Sequence, residues 1–361
     1  MKLRHEAARL VGYANHAAKR LEGRMAKTPD AVMKFLNDLI SRAAPRAREQ
    51  VAELLALKEA DLAASGVPFD GNLYVWDLSY YGRLLVKKKY NVDHQKIAEY
   101  FPVHKTMSGM LRIFGQLLGL VFVELTSDED RGRASPTGKA AEILWHESVV
   151  LYAVWDEDSD IQGAPPEFVG YLYLDLHPRP GKYGHACSAT MRSGFQYPDG
   201  TRCYPATCLI ANLTPPTTSK PSLLKYSEVV TLFHELGHGM HDLVSRTVYS
   251  RFHGVQVARD FIEAPPQMLE NWCRIPSCLA ALSSHYETGE PLPQDMLEAL
   301  IESKRETSAL SMIDQLSYAT FDMAVHTYPV HKKEPDYAEL YGAVYREVTR
   351  IKEFEALRKL S

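Results

Sequence analysis

The spacing of apolar residues indicates that the chain begins with helices. Thr28 is a typical N-cap residue, and Pro29 suits the first helical position. The apolar residues that follow share one helical face: Val32, Phe35, Leu36, Leu39 and Ile40. Charged, alanine-rich sequence continues to about residue 65, and a second apolar stretch predicts a helix from about Thr106 to Leu120.

A change of pattern near the middle of the chain predicts a small sheet. Three segments, SVVLYAVWDED, FVGYLYLDL and ATCLIANLT, are rich in β-branched and aromatic residues and are separated by Gly/Pro turns. The glycine-rich stretch between the second and third segments is expected to be a mobile loop. Helical periodicity returns at Ser227. We therefore expect a mainly α fold of the α+β class, with a small antiparallel sheet beside a central helix.

The composition of one segment indicates a boundary between two regions of the chain. The segment TSDEDRGRASPTGKA, residues 126–140, is polar and contains Gly and Pro, which predicts a loop between subdomains. The expected organisation is therefore a helical region over 1–125, a polar loop over 126–140, and a region over 141–361 that holds the sheet and the central helix.

Charge and composition exclude several classes of function. Lys and Arg number 41 against 45 Asp and Glu, so the net charge of −4 lacks the basic excess of a nucleic-acid-binding protein. No apolar stretch is long enough to cross a bilayer, and the N-terminus does not resemble a secretory signal. Five cysteines without a C-x-x-C pair are expected to be free thiols in the core. We expect an intracellular protein with no membrane association.

The strongest chemical signal is HELGH at residues 234–238. Four residues make about one helical turn, so His234 and His238 project from the same face and can bind one ion, for which zinc is the natural choice. The alternative is a pair of partly exposed helix histidines without a metal. Gly237 and Gly239 weaken a helix, which suggests that another backbone or a substrate comes close.

The rest of this helix has an apolar face and a possible cap. The apolar face turned away from the histidines consists of Val229, Leu232, Phe233, Leu236, Met240, Leu243 and Val244. Ser227 is a candidate cap, and Glu228 in the first turn suits the helix dipole.

A catalytic zinc ion requires a third protein ligand. The spacings of three common zinc-peptidase classes place that ligand at Val244, Val257 or Ala258, none of which can bind zinc. The next carboxylates along the chain are Asp260 and Glu263.

HELGHGMH followed by DFIEAPPQMLENW closely resembles the thimet oligopeptidase, neurolysin and saccharolysin family of zinc peptidases. The segments WDLSYY, YLYLDLHPRPGKYGHA and PSLLKYSEVVTLFHELGH also resemble family segments in the expected order, so the similarity covers nearly the whole chain. It implies a helical zincin-type catalytic domain that uses Glu263 as third ligand of a single Zn²⁺, with region 1–125 forming part of a channel wall.

The resemblance also implies roles for individual residues. Glu235 is then the general base, which takes a proton from the zinc-activated water and passes it to the leaving amine. Three acids, Asp242, Asp260 and Glu270, are candidates to accept the second ring N–H of a ligating histidine, although an ordinary surface acid is the favoured interpretation of each. His241 and His253 are expected not to be ligands. The strand YLYLDL is a candidate edge for a peptide substrate, or else an ordinary buried strand.

The implied function is an intracellular zinc metalloendopeptidase that hydrolyses short peptides, with no obligate protein partner. We expect it in the cytoplasm, with the mitochondrion as the alternative. Family members are close to twice this length, so we expect much of their N-terminal helical domain to precede residue 1 and their C-terminal Tyr- and His-bearing segment to follow residue 361. A second hypothesis is therefore a truncated member that binds zinc and peptide with little turnover, and a third is a zinc-free structural domain.

Overall fold

The computed structural model describes residues 1–157, 167–328 and 335–349. They fall into two compact units, one formed by Met1–Val92 with Glu298–Ser361 and the other by Asp93–Leu297. The helices are α1 Lys2–Leu10, α2 His16–Leu21, α3 Pro29–Ala64, α4 Val75–Tyr90, α5 His94–Ala98, α6 Val103–Leu118, α7 Asp128–Ala134, α8 Tyr226–Leu243, α9 Ala264–Leu269, α10 Pro276–Leu282, α11 Gln294–Ser303, α12 Ser308–Thr327 and α13 Tyr337–Thr349. The strands are β1 Leu120–Glu124, β2 Val150–Asp156, β3 Glu167–Asp175, β4 Cys187–Arg192, β5 Phe195–Gln196, β6 Arg202–Cys203 and β7 Ala206–Ile210.

The expected mainly α fold with a small sheet is confirmed. Within the described ranges, no helix combines the length and apolarity needed to span a membrane. All five cysteines are described and free, but only Cys208 and Cys273 are buried, so the other three are not the core thiols expected.

The long helix α3 begins where the sequence predicts. Thr28 accepts a hydrogen bond from the N–H of Ala31 (3.2 Å), and Pro29 is the first helical residue. The helix then continues without a break to Ala64 although Pro45 lies inside it. Its apolar positions pack mainly against α12, and they contribute to two hydrophobic clusters within the first unit.

The sheet of the second unit has five strands in the order β1-β2-β3-β7-β4. The expectation of an antiparallel sheet is wrong for one pair, because β3 and β7 run parallel, with Tyr171 opposite Ala206. After β3 the chain first forms the edge strand β4 and then returns to insert β7 between β3 and β4. That path is a crossover, so β7 takes the direction of β3.

Three local expectations are corrected in this unit. The apolar helix ends at Leu118, where Gly119 takes the left-handed conformation (φ 66°), and the apolar residues that follow form β1, paired with β2. The glycine-rich segment over 177–200, expected to be a mobile loop, contains β4 and β5, and β6 follows it. YLYLDL lies at the end of β3, which is internal, so the edge interpretation is wrong and the buried-strand alternative is confirmed; β4 is an edge strand instead.

The polar segment 126–140 contains the short helix α7 rather than loop alone. Ser127 caps it by accepting from the N–H of Asp130 (3.1 Å), and three acids in its first turn suit the positive end of the helix dipole. The division of the chain at this segment stays a prediction.

Candidate metal centre

Helix α8 carries the HELGH motif and packs on β3, β4 and β7. It begins at Tyr226 with Lys225 as N-cap, two residues before the expected cap Ser227, and Glu228 accepts a hydrogen bond from the N–H of Lys225 (2.7 Å). The expected apolar face is buried throughout the helix, and only Val244, which is the C-cap residue, is exposed. The opposite face is left for the two histidines.

The glycine at position 237 has the close neighbour that the sequence suggested. A Cβ atom there would lie 2.6 Å from Cα of Pro266, so only glycine lets α9 approach α8 at this point. The approach brings the residues just before α9 close to the two histidines. Gly239 has no such contact, since its nearest neighbour, Cγ2 of Thr207, would be 3.7 Å away.

Three side chains converge at this face. Oε2 of Glu263 lies 3.1 Å from Nε2 of His234 and 3.4 Å from Nε2 of His238. Ligands about 2.0–2.1 Å from a tetrahedral zinc ion are about 3.3–3.4 Å apart, so these spacings fit one ion. Among the described residues, this is the one group of three potential ligands whose donor atoms all lie within 4.8 Å of one another.

Glu270 orients the first of the two imidazoles. Its Oε1 lies 2.8 Å from Nδ1 of His234. A proton shared at Nδ1 leaves the lone pair on Nε2, which faces Glu263, and this is the tautomer that a zinc ligand requires. Glu270 is therefore the partner of a candidate ligand rather than the ordinary surface acid that the sequence left open. Burial lowers the pKa of His238, which keeps this second imidazole in its neutral, metal-binding form.

Glu235 lies on the same helix, half-buried beside the edge strand β4. The backbone N–H of Ser188 in β4 donates to its carboxylate. Burial raises the pKa of Glu235, although His234 and the Ser188 N–H act in the opposite direction. Sequence reasoning missed the contribution of Ser188, because a backbone donor leaves no signature in residue type.

The other histidines and acids near the motif differ in burial and in their distance from the three-residue group. His241 and His253 lie outside the three-residue group, and the expectation that they are not ligands stays a prediction. Asp260 is exposed, which is consistent with a surface acid. Asp242 is only 1% exposed, so the surface-acid interpretation is wrong for it.

Comparison with known proteins agrees with the motif. The family model described as peptidase family M3 matches residues 1–356. The chain is 43% identical to saccharolysin of Saccharomyces cerevisiae over 328 residues, which cover 91% of this chain and 44% of that protein. It is 34% identical to oligopeptidase A of Salmonella typhimurium over 331 residues, covering 90% of this chain and 44% of the relative.

A further relative is the mitochondrial intermediate peptidase of Mus musculus, 29% identical over 344 residues, which cover 94% of this chain and 45% of that protein. The chain thus spans about half the length of the relatives it matches. The family model nevertheless covers nearly all of it. The chain belongs to peptidase family M3.

Proposed function

We propose that this chain holds the zinc centre of a metalloendopeptidase that hydrolyses short peptides. The observation that carries the proposal is the convergence of His234, His238 and Glu263 at spacings that fit one tetrahedral ion. The names of two relatives, saccharolysin and oligopeptidase A, support the same class of activity.

The donor set suits zinc. Two neutral imidazole nitrogens and one carboxylate oxygen are a known catalytic combination that leaves a fourth position open. The chemistry that a zinc ion would supply is Lewis-acid polarisation of the scissile carbonyl and acidification of a water molecule. His234 is held for this role by Glu270, and Glu263 comes from a segment that the Gly237 contact keeps against α8.

Glu235 is the proposed general base. Its partial burial raises its pKa toward the working pH, so the carboxylate can take a proton from water and then release it to the leaving amine. The N–H of Ser188 favours the charged form of this carboxylate. A single residue can therefore serve both proton transfers.

The edge strand β4 is the proposed docking site of the peptide. It pairs with β7 on one side only and passes directly beside Glu235 through Ser188. A peptide added to this edge would be held by main-chain hydrogen bonds, which accept many sequences. This role replaces the one suggested for YLYLDL, which is internal in the sheet.

The finer assignments belong to the same proposal. We propose one Zn²⁺ per chain and a location in the cytoplasm, with the mitochondrion as the alternative because one relative is a mitochondrial peptidase. No nucleic acid, membrane or obligate protein partner is required by this chemistry.

The test compares zinc content and peptide cleavage in the full chain. We expect wild type to bind one zinc and to cleave an internally quenched peptide, and Glu235→Gln to bind zinc normally with cleavage reduced by at least about a hundredfold. Glu263→Gln should bind zinc much more weakly, through the two imidazoles that remain. Thr231→Ala, an exposed change one turn before Glu235, is the control for α8.

Two results would overturn the proposal. Equal, negligible cleavage by wild type and Glu235→Gln, with one zinc in each, would favour the hypothesis of a zinc-binding chain without turnover. Zinc binding that is unaffected by Glu263→Gln would show that the third ligand is assigned wrongly.

A further inference from the structure

The side of α8 that carries the two imidazoles also carries a buried carboxylate one turn further along the helix. His234, His238 and Asp242 are spaced four residues apart and share one side of α8. The two histidines face the candidate metal centre, whereas Asp242 is buried, with 1% of its surface exposed. A buried carboxylate is costly unless it interacts with neighbouring polar groups, so its surroundings indicate what it does.

The principal neighbour of Asp242 is His253, which is fully buried. Nε2 of His253 lies 3.7 Å from Oδ1 of Asp242. Burial raises the pKa of Asp242, whereas the hydroxyls of Thr190 and Thr207 and the N–H of Val255 favour its charged form. Burial also lowers the pKa of His253 to about 4, so this imidazole is neutral at pH 7.

Two glycines pack directly against Asp242 and His253. Gly254 has φ +53°, and a Cβ atom on it would lie 1.9 Å from Oδ1 of Asp242. On the other side, a Cβ atom on Gly194 would lie 2.9 Å from Cε1 of His253. The backbone is therefore packed directly against both side chains, and neither can move without displacing it.

The loop between Asp242 and His253 is fastened at both ends. The guanidinium of Arg202 donates to the carbonyls of Ser245 (2.6 Å) and Thr247 (3.3 Å). The hydroxyl of Ser245 accepts from the N–H of Gly254 (3.0 Å). These bonds bring residue 254 back to the end of α8.

Glu263 therefore lies between two attachments to the same helix. Upstream, His253 and Gly254 contact Asp242, and downstream Pro266 contacts Gly237. The segment from 254 to 266 bridges these points, and the side chain of Glu263 is itself 54% exposed, so its own packing does little to fix its position.

We propose that Asp242 is a positioning residue for the metal centre. Its buried contact with His253 and Gly254 sets the start of the segment that presents Glu263 to the two imidazoles. This inference rests on the proposed function, since it assigns Asp242 a role in zinc binding through Glu263.

The test measures zinc affinity of the folded chain by competition with a chelator. Asp242→Asn keeps the shape of the side chain but removes its negative charge and replaces one carboxylate oxygen by an NH2 group inside the buried contact with His253 and Gly254. We expect its zinc affinity to fall about tenfold or more, with the helical circular dichroism spectrum retained. If Asp242→Asn does not fold, His253→Gln tests the same contact.

A double-mutant cycle separates positioning from general loss of stability. In the Glu263→Gln background, Asp242→Asn should weaken zinc binding no further, because its effect passes through the ligand already removed. A merely structural role would lower the melting temperature of the metal-free chain and leave this coupling at zero. Equal effects in both backgrounds would overturn the inference.

A matched pair of glycine variants tests the steric part. Gly254→Ala should weaken zinc binding about tenfold or more, because the new Cβ collides with Asp242. Gly289→Ala introduces the same left-handed strain at φ +76° in open space, so zinc affinity should be unchanged. Equal zinc affinity in the two variants would contradict the proposal.

The outcomes also distinguish the two proposals. If wild type binds no zinc, or if Glu263→Gln binds it as well as wild type does, the proposed function fails. If wild type binds zinc through Glu263 and both Asp242→Asn and Gly254→Ala bind it equally well, only the positioning role fails.

Discussion

Gly237 and Pro266 meet so closely that a methyl group on the glycine would overlap the proline backbone, at 2.6 Å from its Cα. Gly237→Ala should therefore push α9 outward and displace Glu263, three residues before Pro266. We expect a loss of about 1–3 kcal/mol in the free energy of unfolding of the metal-free chain, together with weaker zinc binding. Urea denaturation and chelator competition measure the two effects.

Gly239→Ala is the control for this variant. Its new Cβ would be 3.7 Å from the nearest atom, so alanine fits, and the helix should gain about 0.5–1 kcal/mol. The steric argument is wrong if the two alanine variants have the same stability.

Glu270 should control how tightly His234 binds zinc, because its Oε1 accepts a hydrogen bond from Nδ1 of His234 (2.8 Å between the two atoms). Glu270→Ala is expected to weaken zinc binding about 10- to 100-fold, and Glu270→Gln, which retains an acceptor oxygen, by less. Chelator competition on the folded proteins is the measurement. The neighbouring Asn271→Ala, at an exposed position, should bind zinc as wild type does.

Asp175 is a buried acid of the second unit that three neighbouring side chains hold in its charged form. Burial alone would raise its pKa, but hydrogen bonds from Arg179, Lys182 and Trp145 outweigh burial and lower it well below its usual range. A depressed folded-state pKa stabilises the protein above the unfolded-state pKa of about 3.9, and this contribution is lost as the pH falls below that value.

Asp175→Asn should therefore cost about 3–5 kcal/mol at pH 7, because it leaves the buried Lys182 ammonium without its charged partner. Near pH 3 the difference between the variant and wild type should narrow. Urea denaturation at both pH values tests this, and a constant difference would show that protonation of Asp175 is not the cause.

Lys58 joins α3 to the start of α4 in the first unit. Its Nζ lies 2.6 Å from Oδ2 of Asp77 and 2.9 Å from the carbonyl of Asn72, and both charged side chains are largely buried. Lys58→Met should lower the free energy of unfolding by about 3–5 kcal/mol. Arg133→Ala breaks an ion pair with Glu129 that is more than 70% exposed on both sides, and should cost less than about 1 kcal/mol.

The helical part of the fold was largely predictable from local signals. Thr28 and Pro29 mark the start of α3 because capping depends on residues adjacent in sequence. The direction of β7 was not predictable, since it depends on where β4 lies in the sheet. Likewise, Leu120–Glu124 continues the apolar pattern of α6, and only pairing with β2 makes it a strand.

The residues of the candidate site were likewise predictable only in part. The pair His234 and His238 follows from helical periodicity, and Glu263 came from resemblance to a family rather than from any local rule. The buried state of Asp242 could not be seen, because a polar residue at a helix end usually faces solvent. The metal-binding roles stay predictions that zinc titration can decide.

Pro45 weakens the hydrogen bonding of α3 locally, although the helix continues through it without a break. Proline has no N–H to donate to the carbonyl of Ser41, so the ladder of the helix is weakened at that turn. Residues around it from Val32 to Ala47 pack into one hydrophobic cluster, whereas Val51 to Leu57 pack into another. The segments from Val32 to Ala47 and from Val51 to Leu57 therefore pack into different clusters, and we expect their amide hydrogens to exchange with solvent at different rates.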